Sequence, residues 1–196
     1  PPGFTVPVTL ALDVVTDSAG PVVTTAAASR AARSMSGLQH IAAREDAPMP
    51  TPVIIDCDPG HDDAIAIMLA VADPAIDLLA VTTVAGNVTL DHTTRNALRV
   101  LDMVERPDIP VAAGRDRPRV RDLSTAAVMH GESGLAGPLP VEPSRGALDV
   151  ASIELVEQLL LDADEPITLV ATGPLTNMAD VVERLPHLHS RIRELV

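Results

Sequence analysis

Residues 52–70 read PVIIDCDPGHDDAIAIMLA. The segment opens with a short apolar run, continues with an acidic turn around Pro59 and Gly60, and ends with a longer apolar run. A short apolar run bounded by turn residues is typical of a strand buried on both faces, and a longer run without a polar face indicates a buried helix. This stretch therefore predicts a strand, a loop and a buried helix, in that order.

The same unit recurs along the chain. A second strand is predicted at 76–86, and the helix after it at 91–106 is amphipathic and stopped by Pro107. The apolar residues that share one face of this helix are Ala97, Leu98, Leu101 and Val104. Further strands are predicted at 109–114 and 167–172, further helices at 149–161 and 173–185, and a short helix within 187–196 that runs into a strand at Leu195 and Val196. The alternation predicts an α/β fold with an open, largely parallel sheet flanked by helices.

The first part of the chain differs in composition. Residues 1–50 are rich in Ala, Ser, Thr, Val and Pro without sustained periodicity, which indicates an irregular leader or linker, with at most a short strand at 5–15. One domain is expected at 51–196, and within it residues 115–145 predict a long loop of the kind that often carries function. Because Pro1 is not an initiator residue, we expect the chain to be a fragment or a processed product.

Charge and composition narrow the function classes. A net charge of −13 repels polyanions, so neither a nucleic-acid groove nor a patch for anionic membranes is expected. A single cysteine, Cys57, cannot form an internal disulfide and favours a reducing compartment. No apolar stretch reaches the ~18 residues that suggest a membrane span. These features predict a cytoplasmic protein that binds a neutral or cationic ligand or a metal ion.

Four carboxylates follow the first predicted strand: Asp56, Asp58, Asp62 and Asp63. They lie at the carboxyl end of a predicted parallel strand, where open α/β sheets place their ligand crevices. Like charges held this close raise one another's pKa values unless a positive group lies among them, and carboxylate oxygens suit Ca²⁺ or Mg²⁺. The simpler interpretation is that Asp62 and Asp63 cap the helix, whereas Asp56 and Asp58 are exposed to solvent at the entrance of the loop.

The chain resembles the inosine-uridine preferring nucleoside hydrolases. The segments that carry the resemblance are DCDPGHDD with AIAIMLA, VTTVAGNVTLDHTTRNALRVL, HGESGLAGP, ITLVATGPLTNMA and the closing IRELV, all in the expected order. Together they cover about residues 52–196. The resemblance implies a Rossmann-like fold that hydrolyses the N-glycosidic bond of ribonucleosides with the help of Ca²⁺, and the family is often oligomeric.

The resemblance also implies roles for single residues. Asp58 and Asp63 would be Ca²⁺ ligands together with the backbone carbonyl of Thr172, and Asp58 would be the general base. Carboxylates near a departing base stabilise the oxocarbenium-like sugar, and a bound metal lowers the pKa of the attacking water. Asp62 and Asn87 would hold ribose hydroxyls.

The remaining polar residues of these motifs receive weaker assignments. Asp56 would support the metal ligands by hydrogen bonding. His130 is similar to a family histidine near the nucleobase, and a role on the leaving group and a role in shaping the pocket rim are equally compatible with it. His61 matches no role, and Cys57 is expected to be a packing residue.

Some elements of the family pattern have no counterpart here. A Met-Gly-Gly segment, ribose-binding Asn and Glu residues, and a distal acid beside a histidine are missing from the sequence. We therefore expect little or no hydrolase activity from this polypeptide alone. The alternative is a non-catalytic metal-binding remnant or interaction module. A phosphotransfer hydrolase with an Asp-x-Asp pair is disfavoured, because Pro59 follows the second Asp and the chain has no Lys.

Overall fold

The computed structural model describes residues 49–126, 129, 131–135 and 142–196. They belong to the second of two units into which the chain divides, Pro48–Val196. Nearly all of the predicted leader, including the strand considered at 5–15, lies outside the described residues, and so does His130.

The described residues form alternating strands and helices. The strands are β1 Thr51–Cys57, β2 Ile76–Thr83, β3 Val111–Ala113, β4 Ile167–Ala171 and β5 Ile192–Leu195. The helices are α1 His61–Ala72, α2 Leu90–Met103, α3 Ser152–Asp162 and α4 Thr176–Arg184, and a 3₁₀ turn at Pro186–Arg191 precedes β5. No helix among the described residues is long and apolar enough to cross a lipid bilayer.

All strand pairs are parallel, and the sheet order is β3-β2-β1-β4-β5. The first three strands are added toward one edge, and the chain then returns to the other side of β1 to add β4 and β5. Helices α1 and α2 cover one face of the sheet, whereas α3 and α4 cover the other. The predicted α/β fold with a parallel sheet flanked by helices is therefore confirmed.

Strand β1 lies at the centre of the sheet and contributes to both cores. Val53, Ile55 and Cys57 pack with α1 and α2, whereas Ile54 points to the core under α3 and α4. Successive side chains of a strand alternate between its faces, which is why a continuous apolar run was needed here. The buried Cys57 thus packs in the core, as predicted.

Helix α1 is buried on one side only, so the prediction of a fully buried helix was wrong. Ala64, Ile67 and Ala70 face the sheet, but the side chains of Ile65 and Leu69 are 57% and 65% exposed. A groove of 630 Å³ runs along this helix beside β4. Its apolar lining includes Val53, Ile55, Leu69, Ile76 and Val170. The outer side of α1 is apolar because it borders this groove. No described element covers the groove.

The other helices differ from the predictions mainly at their ends. In α2 the residues Ala97, Leu98 and Leu101 are buried as the periodicity predicted, but the helix ends at Met103, so Val104, the fourth residue of the predicted face, lies just beyond it and is only partly buried. The last helix, α4, begins at Thr176, so Pro174 precedes it rather than occupying its first turn. Strand β5 begins at Ile192, three residues earlier than predicted.

The segment between β3 and α3 runs largely as turns and irregular chain where the structure describes it. One anchor is Asn96 of α2, whose side-chain amide donates to the carbonyl oxygens of Pro59 (3.1 Å) and Ser133 (2.8 Å). Gly134 adopts a φ of +82°, and a Cβ there would lie 2.9 Å from Nδ2 of Asn96. Glycine is required at this position, because the backbone conformation and the close approach both exclude a side chain.

Candidate active site

Two of the predicted cation ligands, Asp58 and Thr172, lie at the carboxyl ends of β1 and β4. From β1 the chain crosses to β2 on one side of the sheet, and from β4 it crosses to β5 on the other. The two connections diverge and leave a crevice between the strand ends, which is where open α/β sheets bind ligands. Asp58 follows β1, and Thr172 follows β4.

Asp58 makes three hydrogen bonds with two residues, Asp63 and Asn87. Its backbone N–H donates to Oδ2 of Asp63 at 3.0 Å. Its own Oδ2 accepts a hydrogen bond of 2.6 Å from the backbone N–H of Asn87, and its carbonyl oxygen accepts one of 3.0 Å from Nδ2 of Asn87. These contacts join the end of β1, the first turn of α1 and the loop after β2.

Two glycines let the backbone approach Asp58 closely. A Cβ on Gly86 would lie 2.1 Å from Oδ2 of Asp58, and a Cβ on Gly173 would lie 2.9 Å from Oδ1. Contacts this short cannot be accommodated without displacing the carboxylate. The space around Asp58 therefore depends on both residues being glycine.

Asp56 is fully buried and makes a different set of contacts. Oδ1 accepts hydrogen bonds from the Thr82 hydroxyl (2.6 Å) and from Nδ2 of Asn177 (2.8 Å). Oδ2 is buried and has no hydrogen-bond partner. The backbone oxygen accepts from the N–H groups of Thr172 (3.0 Å) and Gly173 (3.3 Å), so Asp56 ties the end of β4 to β1.

Asp56, Asp58 and Asp63, the buried carboxylates of this site, all have raised pKa values. Burial is the main cause for each, and it raises the pKa of Asp58 to about 7 against the partial opposition of the Asn87 N–H. The pKa of Asp56 rises to about 6, again through burial, although Asn177 and Thr82 lower it. Burial also raises the pKa of Asp63, and a hydrogen bond from the Thr172 side chain works in the opposite direction. No positively charged group is among the causes of these shifts, so nothing of that kind in the described residues offsets the cost of ionising the three carboxylates.

The donor set fits a hard cation, although only in part. Carboxylate and carbonyl oxygens are the ligands that Ca²⁺ prefers, and the unpartnered Oδ2 of Asp56 marks an uncompensated buried acceptor beside them. Within the described ranges, no group of three or more His, Cys, Asp or Glu side chains is arranged to hold a metal ion. Asp58, Asp63 and the carbonyl of Thr172 would therefore form an incomplete shell.

The other predicted residues have the following positions. Asp62 is exposed in the first turn of α1, next to Asp63, whose pKa its charge raises. Asn87 is partly buried against Asp58. His61 is exposed as the first residue of α1. The assignment of His130 stays a prediction, because this residue lies outside the described part of the chain.

A cavity of 620 Å³ lies beside Gly86 and Pro174, but none of the site carboxylates lines it. It is lined by Gly86, Pro174 and Thr176 on the sheet side and by residues 118–124 of the long loop on the other. This volume lies within the range of ~300 to 1,000 Å³ that is usual for small-molecule sites. The loop predicted to be functional therefore forms one wall of the cavity.

Sequence reasoning missed two residues of this network. Asn177 and Thr82 both donate to the Asp56 carboxylate, but neither was singled out as a site residue. The available signal was position, because Thr82 lies near the carboxyl end of β2 and Asn177 lies in the first turn of α4. Polar residues at those points share one edge of a parallel sheet with Asp56 and Asp58.

The chain is similar to known ribonucleoside hydrolases. It is 50% identical over 148 residues to the pyrimidine-specific ribonucleoside hydrolase RihA of Salmonella arizonae, an alignment that covers 76% of this chain and 48% of the relative. The same enzyme of Klebsiella pneumoniae is also 50% identical, with the same coverage. The chain thus spans about half the length of the curated relatives that it matches.

Solved structures show the same relationship. A plant nucleoside hydrolase superposes with a TM-score of 0.70 at 38% identity, covering 75% of this chain and 47% of that one. The purine-preferring ribonucleoside hydrolase of Gardnerella vaginalis gives a TM-score of 0.70 at 28% identity, covering 74% and 48%. Residues 53–196 match the family described as inosine-uridine preferring nucleoside hydrolase. This chain therefore belongs to the inosine-uridine preferring nucleoside hydrolase family.

Proposed function

We propose that this polypeptide forms the carboxylate side of an N-ribohydrolase site, which cleaves the bond between ribose and base in ribonucleosides with the help of Ca²⁺. The observation that carries the proposal is the pair of buried carboxylates, Asp58 and Asp63, at the crevice between β1 and β4. Family membership gives the reaction class. The donor atoms and the uncompensated charge support the cation.

Asp58 is the proposed general base. Without a cation, burial raises its pKa to about 7, whereas a bound cation would favour the ionised carboxylate that can accept a proton. In the proposed reaction the oxygen of water forms a bond to C1′ of the ribose, and the bond from C1′ to the base breaks. The base leaves with the electron pair of that bond and takes a proton from solvent. The proton lost by the water goes to the carboxylate of Asp58.

Binding of the ribose is assigned to Asn87 and Asp62. The backbone N–H and Nδ2 of Asn87 are both used on Asp58, so its Oδ1 is the atom left to accept a hydrogen bond from a hydroxyl. Asp62 is exposed at the start of α1 and offers further acceptors. Developing positive charge on the sugar would be stabilised by the neighbouring carboxylates.

The cation would be held by Asp58, Asp63 and the carbonyl of Thr172. When bound, Ca²⁺ would neutralise the carboxylates and lower the pKa of a coordinated water. Asp56 would take no direct part in the reaction. Its backbone oxygen keeps Thr172 and Gly173 against the end of β1.

We further propose that this polypeptide has little hydrolase activity by itself. Ca²⁺ takes 6 to 8 oxygen ligands, and the three protein ligands proposed here would leave the ion largely hydrated and weakly bound. The chain also spans about half the length of the curated relatives that it matches. Pyrimidine ribonucleosides are the substrates to test first, because the relatives at 50% identity are named for them.

Two measurements on the purified chain test the proposal. Calorimetric titration with Ca²⁺ should show weak binding that Asp63→Asn abolishes, and release of uracil from uridine, followed by chromatography, should be far slower than with a full-length relative. Absence of Ca²⁺ binding would contradict the cation proposal, and cleavage at the relative's rate would contradict the low activity. Ca²⁺ binding without any cleavage, even when full-length versions are tested, would favour the non-catalytic metal-binding alternative.

A further inference from the structure

Asn177 is a buried residue at the start of α4 whose side-chain amide hydrogen-bonds through both N–H groups and through its oxygen. Only 3% of the residue is exposed. Its Nδ2 donates to Oδ1 of Asp56 at 2.8 Å and to the carbonyl oxygen of Thr83 at 3.0 Å. Its Oδ1 accepts a hydrogen bond of 2.9 Å from the backbone N–H of Arg115.

The orientation of this amide is determined by its surroundings. Turning it by half a rotation would place Oδ1 against Oδ1 of Asp56 and the Thr83 carbonyl, which are both acceptors, and Nδ2 against the N–H of Arg115, which is a donor. Space is equally restrictive, because a Cβ on Gly114 would lie 2.3 Å from both Nδ2 and Oδ1 of Asn177. Only one arrangement satisfies these contacts.

The contacts of Asn177 reach three strands. Asp56 belongs to β1, Thr83 ends β2, and Arg115 lies just after β3, while Asn177 itself is on the helix that follows β4. Within the described chain, one side chain therefore links the carboxyl ends of three neighbouring strands to α4. These ends carry the loops that form the candidate active site.

The link to the proposed cation ligands passes through Asp56. Asn177 and Thr82 both donate to Oδ1 of Asp56, and this fixes the residue whose backbone oxygen receives the N–H groups of Thr172 and Gly173. Thr172 is the proposed carbonyl ligand, and Gly173 lies against the carboxylate of Asp58. A change at Asn177 is thereby transmitted to both.

We propose that Asn177 is a positioning residue of this site, which holds Asp56 and the Thr172–Gly173 peptide where a cation and a ribose require them. The inference rests on the proposed function for its consequence, but its structural part can be tested without it. A residue with a merely structural role would stabilise the fold as a whole and would leave the end of β4 no more affected than the rest of the core.

Asp180 provides a matched control for Asn177. It lies on the same helix, is also buried, and contacts the same neighbour, since Nε of Arg115 lies 2.5 Å from its Oδ2. It makes no hydrogen bond to Asp56 among the described residues. Asp180→Asn therefore perturbs α4 and the loop after β3 without touching the connection to Asp56 and Thr172.

The experiment compares Asn177→Ala, Asn177→Ser and Asp180→Asn in the 196-residue chain. Amide hydrogen exchange measured by NMR should speed up at Thr172 and Gly173 by about tenfold in Asn177→Ala. Of the three hydrogen bonds that this variant loses, the one to Asp56 leads to these two amides, and its loss alone corresponds to an effect of about this size. Amides of α2 serve as the reference for global opening. Asn177→Ser keeps one donor and should show a smaller effect, and Asp180→Asn should leave the two amides within about twofold of wild type.

Calorimetric titration of the same variants with Ca²⁺ tests whether Asn177 affects cation binding. Asn177→Ala should weaken Ca²⁺ binding by about tenfold, since the carbonyl ligand is no longer held, whereas Asp180→Asn should not. If the wild-type chain binds no Ca²⁺, the proposed function fails and the exchange data alone decide the role of Asn177. Unchanged exchange at Thr172 and Gly173, equal effects of Asp180→Asn, or loss of folding in both Asn177 variants would overturn the positioning role.

Discussion

The backbone N–H of Asp58 donates to Oδ2 of Asp63 at 3.0 Å, so the end of β1 and the first turn of α1 are joined by one of the carboxylates proposed to bind a cation. This contact places two acidic side chains next to each other in a buried crevice. Burial disfavours ionisation of both carboxylates, and the charge of Asp63 adds to this effect at Asp58. The stability of the unliganded chain and its response to cations are therefore coupled at this point.

Asp63→Asn should remove the response of the chain to cations while leaving its stability without cations nearly unchanged. The amide oxygen can still accept from the Asp58 N–H, so the free energy of unfolding without cations should change by no more than about 1 kcal/mol. The rise in melting temperature on adding Ca²⁺ should disappear, because half of the carboxylate pair is gone. Thermal unfolding with and without Ca²⁺ measures both effects. Asp91→Asn, in the exposed first turn of α2, is the control and should keep the wild-type response. A Ca²⁺ response that survives in Asp63→Asn would contradict the ligand assignment.

The pH dependence of stability should show the raised pKa of Asp58. Its pKa rises from 3.8 to about 7 on folding, so between these values the folded chain holds more protons than the unfolded chain. The free energy of unfolding without cations should therefore fall as the pH rises from about 4 to about 7 and then level off. Urea unfolding in the presence of a chelator measures the slope. The comparison with Asp58→Asn isolates this group, and an identical slope in that variant would show that other residues cause it.

Gly86→Ala should damage the site and the fold together. The new Cβ would lie 2.1 Å from Oδ2 of Asp58, so the carboxylate or the loop after β2 must shift. Strain of this kind typically costs about 1 to 3 kcal/mol of unfolding free energy. Gly146→Ala is a matched control, because nothing lies within 4 Å of its Cβ position, and it should change stability by less than about 0.5 kcal/mol. Chemical denaturation distinguishes the two, and equal effects would mean that the loop yields without strain.

Substitutions in α1 should reveal its exposed side. Leu69→Gln affects a side chain that is 65% exposed and should change the unfolding free energy by less than about 0.5 kcal/mol. Ile67→Ala, two residues earlier and fully buried, should cost about 2 to 5 kcal/mol. Leu69→Gln should also reduce aggregation, since the apolar groove beside β4 is a surface prone to association. A large loss of stability in Leu69→Gln would show that the groove is covered in solution.

The fold could be predicted because its strands and helices have recognisable local sequence patterns. Apolar runs such as 52–57 and 76–83, separated by helices with a clear face, leave few alternatives to a parallel α/β sheet. The convergence of Asp58, Asp63 and Asn87 was also predictable in outline, since carboxyl ends of parallel strands lie at one edge. The resemblance to a family added the identity of the reaction.

The remaining features depend on three-dimensional contacts that no local pattern encodes. Helix α1 is apolar all round, so its sequence could not show that Ile65 and Leu69 face outward. Asn177 is one polar residue among many, and its importance follows only from its contacts with Asp56 and the strand ends. The need for glycine at position 86 likewise becomes visible only when its distance to Asp58 is known.

The central position of β1 has a consequence for how the chain folds. β1 pairs with β4, and the hydrogen bond from Asn177 to Asp56 joins residues that are 121 positions apart. Loops of this length must close before their contacts contribute stability, and proteins dominated by such contacts fold slowly. During synthesis the acidic segment at 56–63 emerges long before β4 and α4, so residues that fix its geometry follow much later. The candidate site therefore forms late in folding, although its acidic segment is synthesised early in the domain.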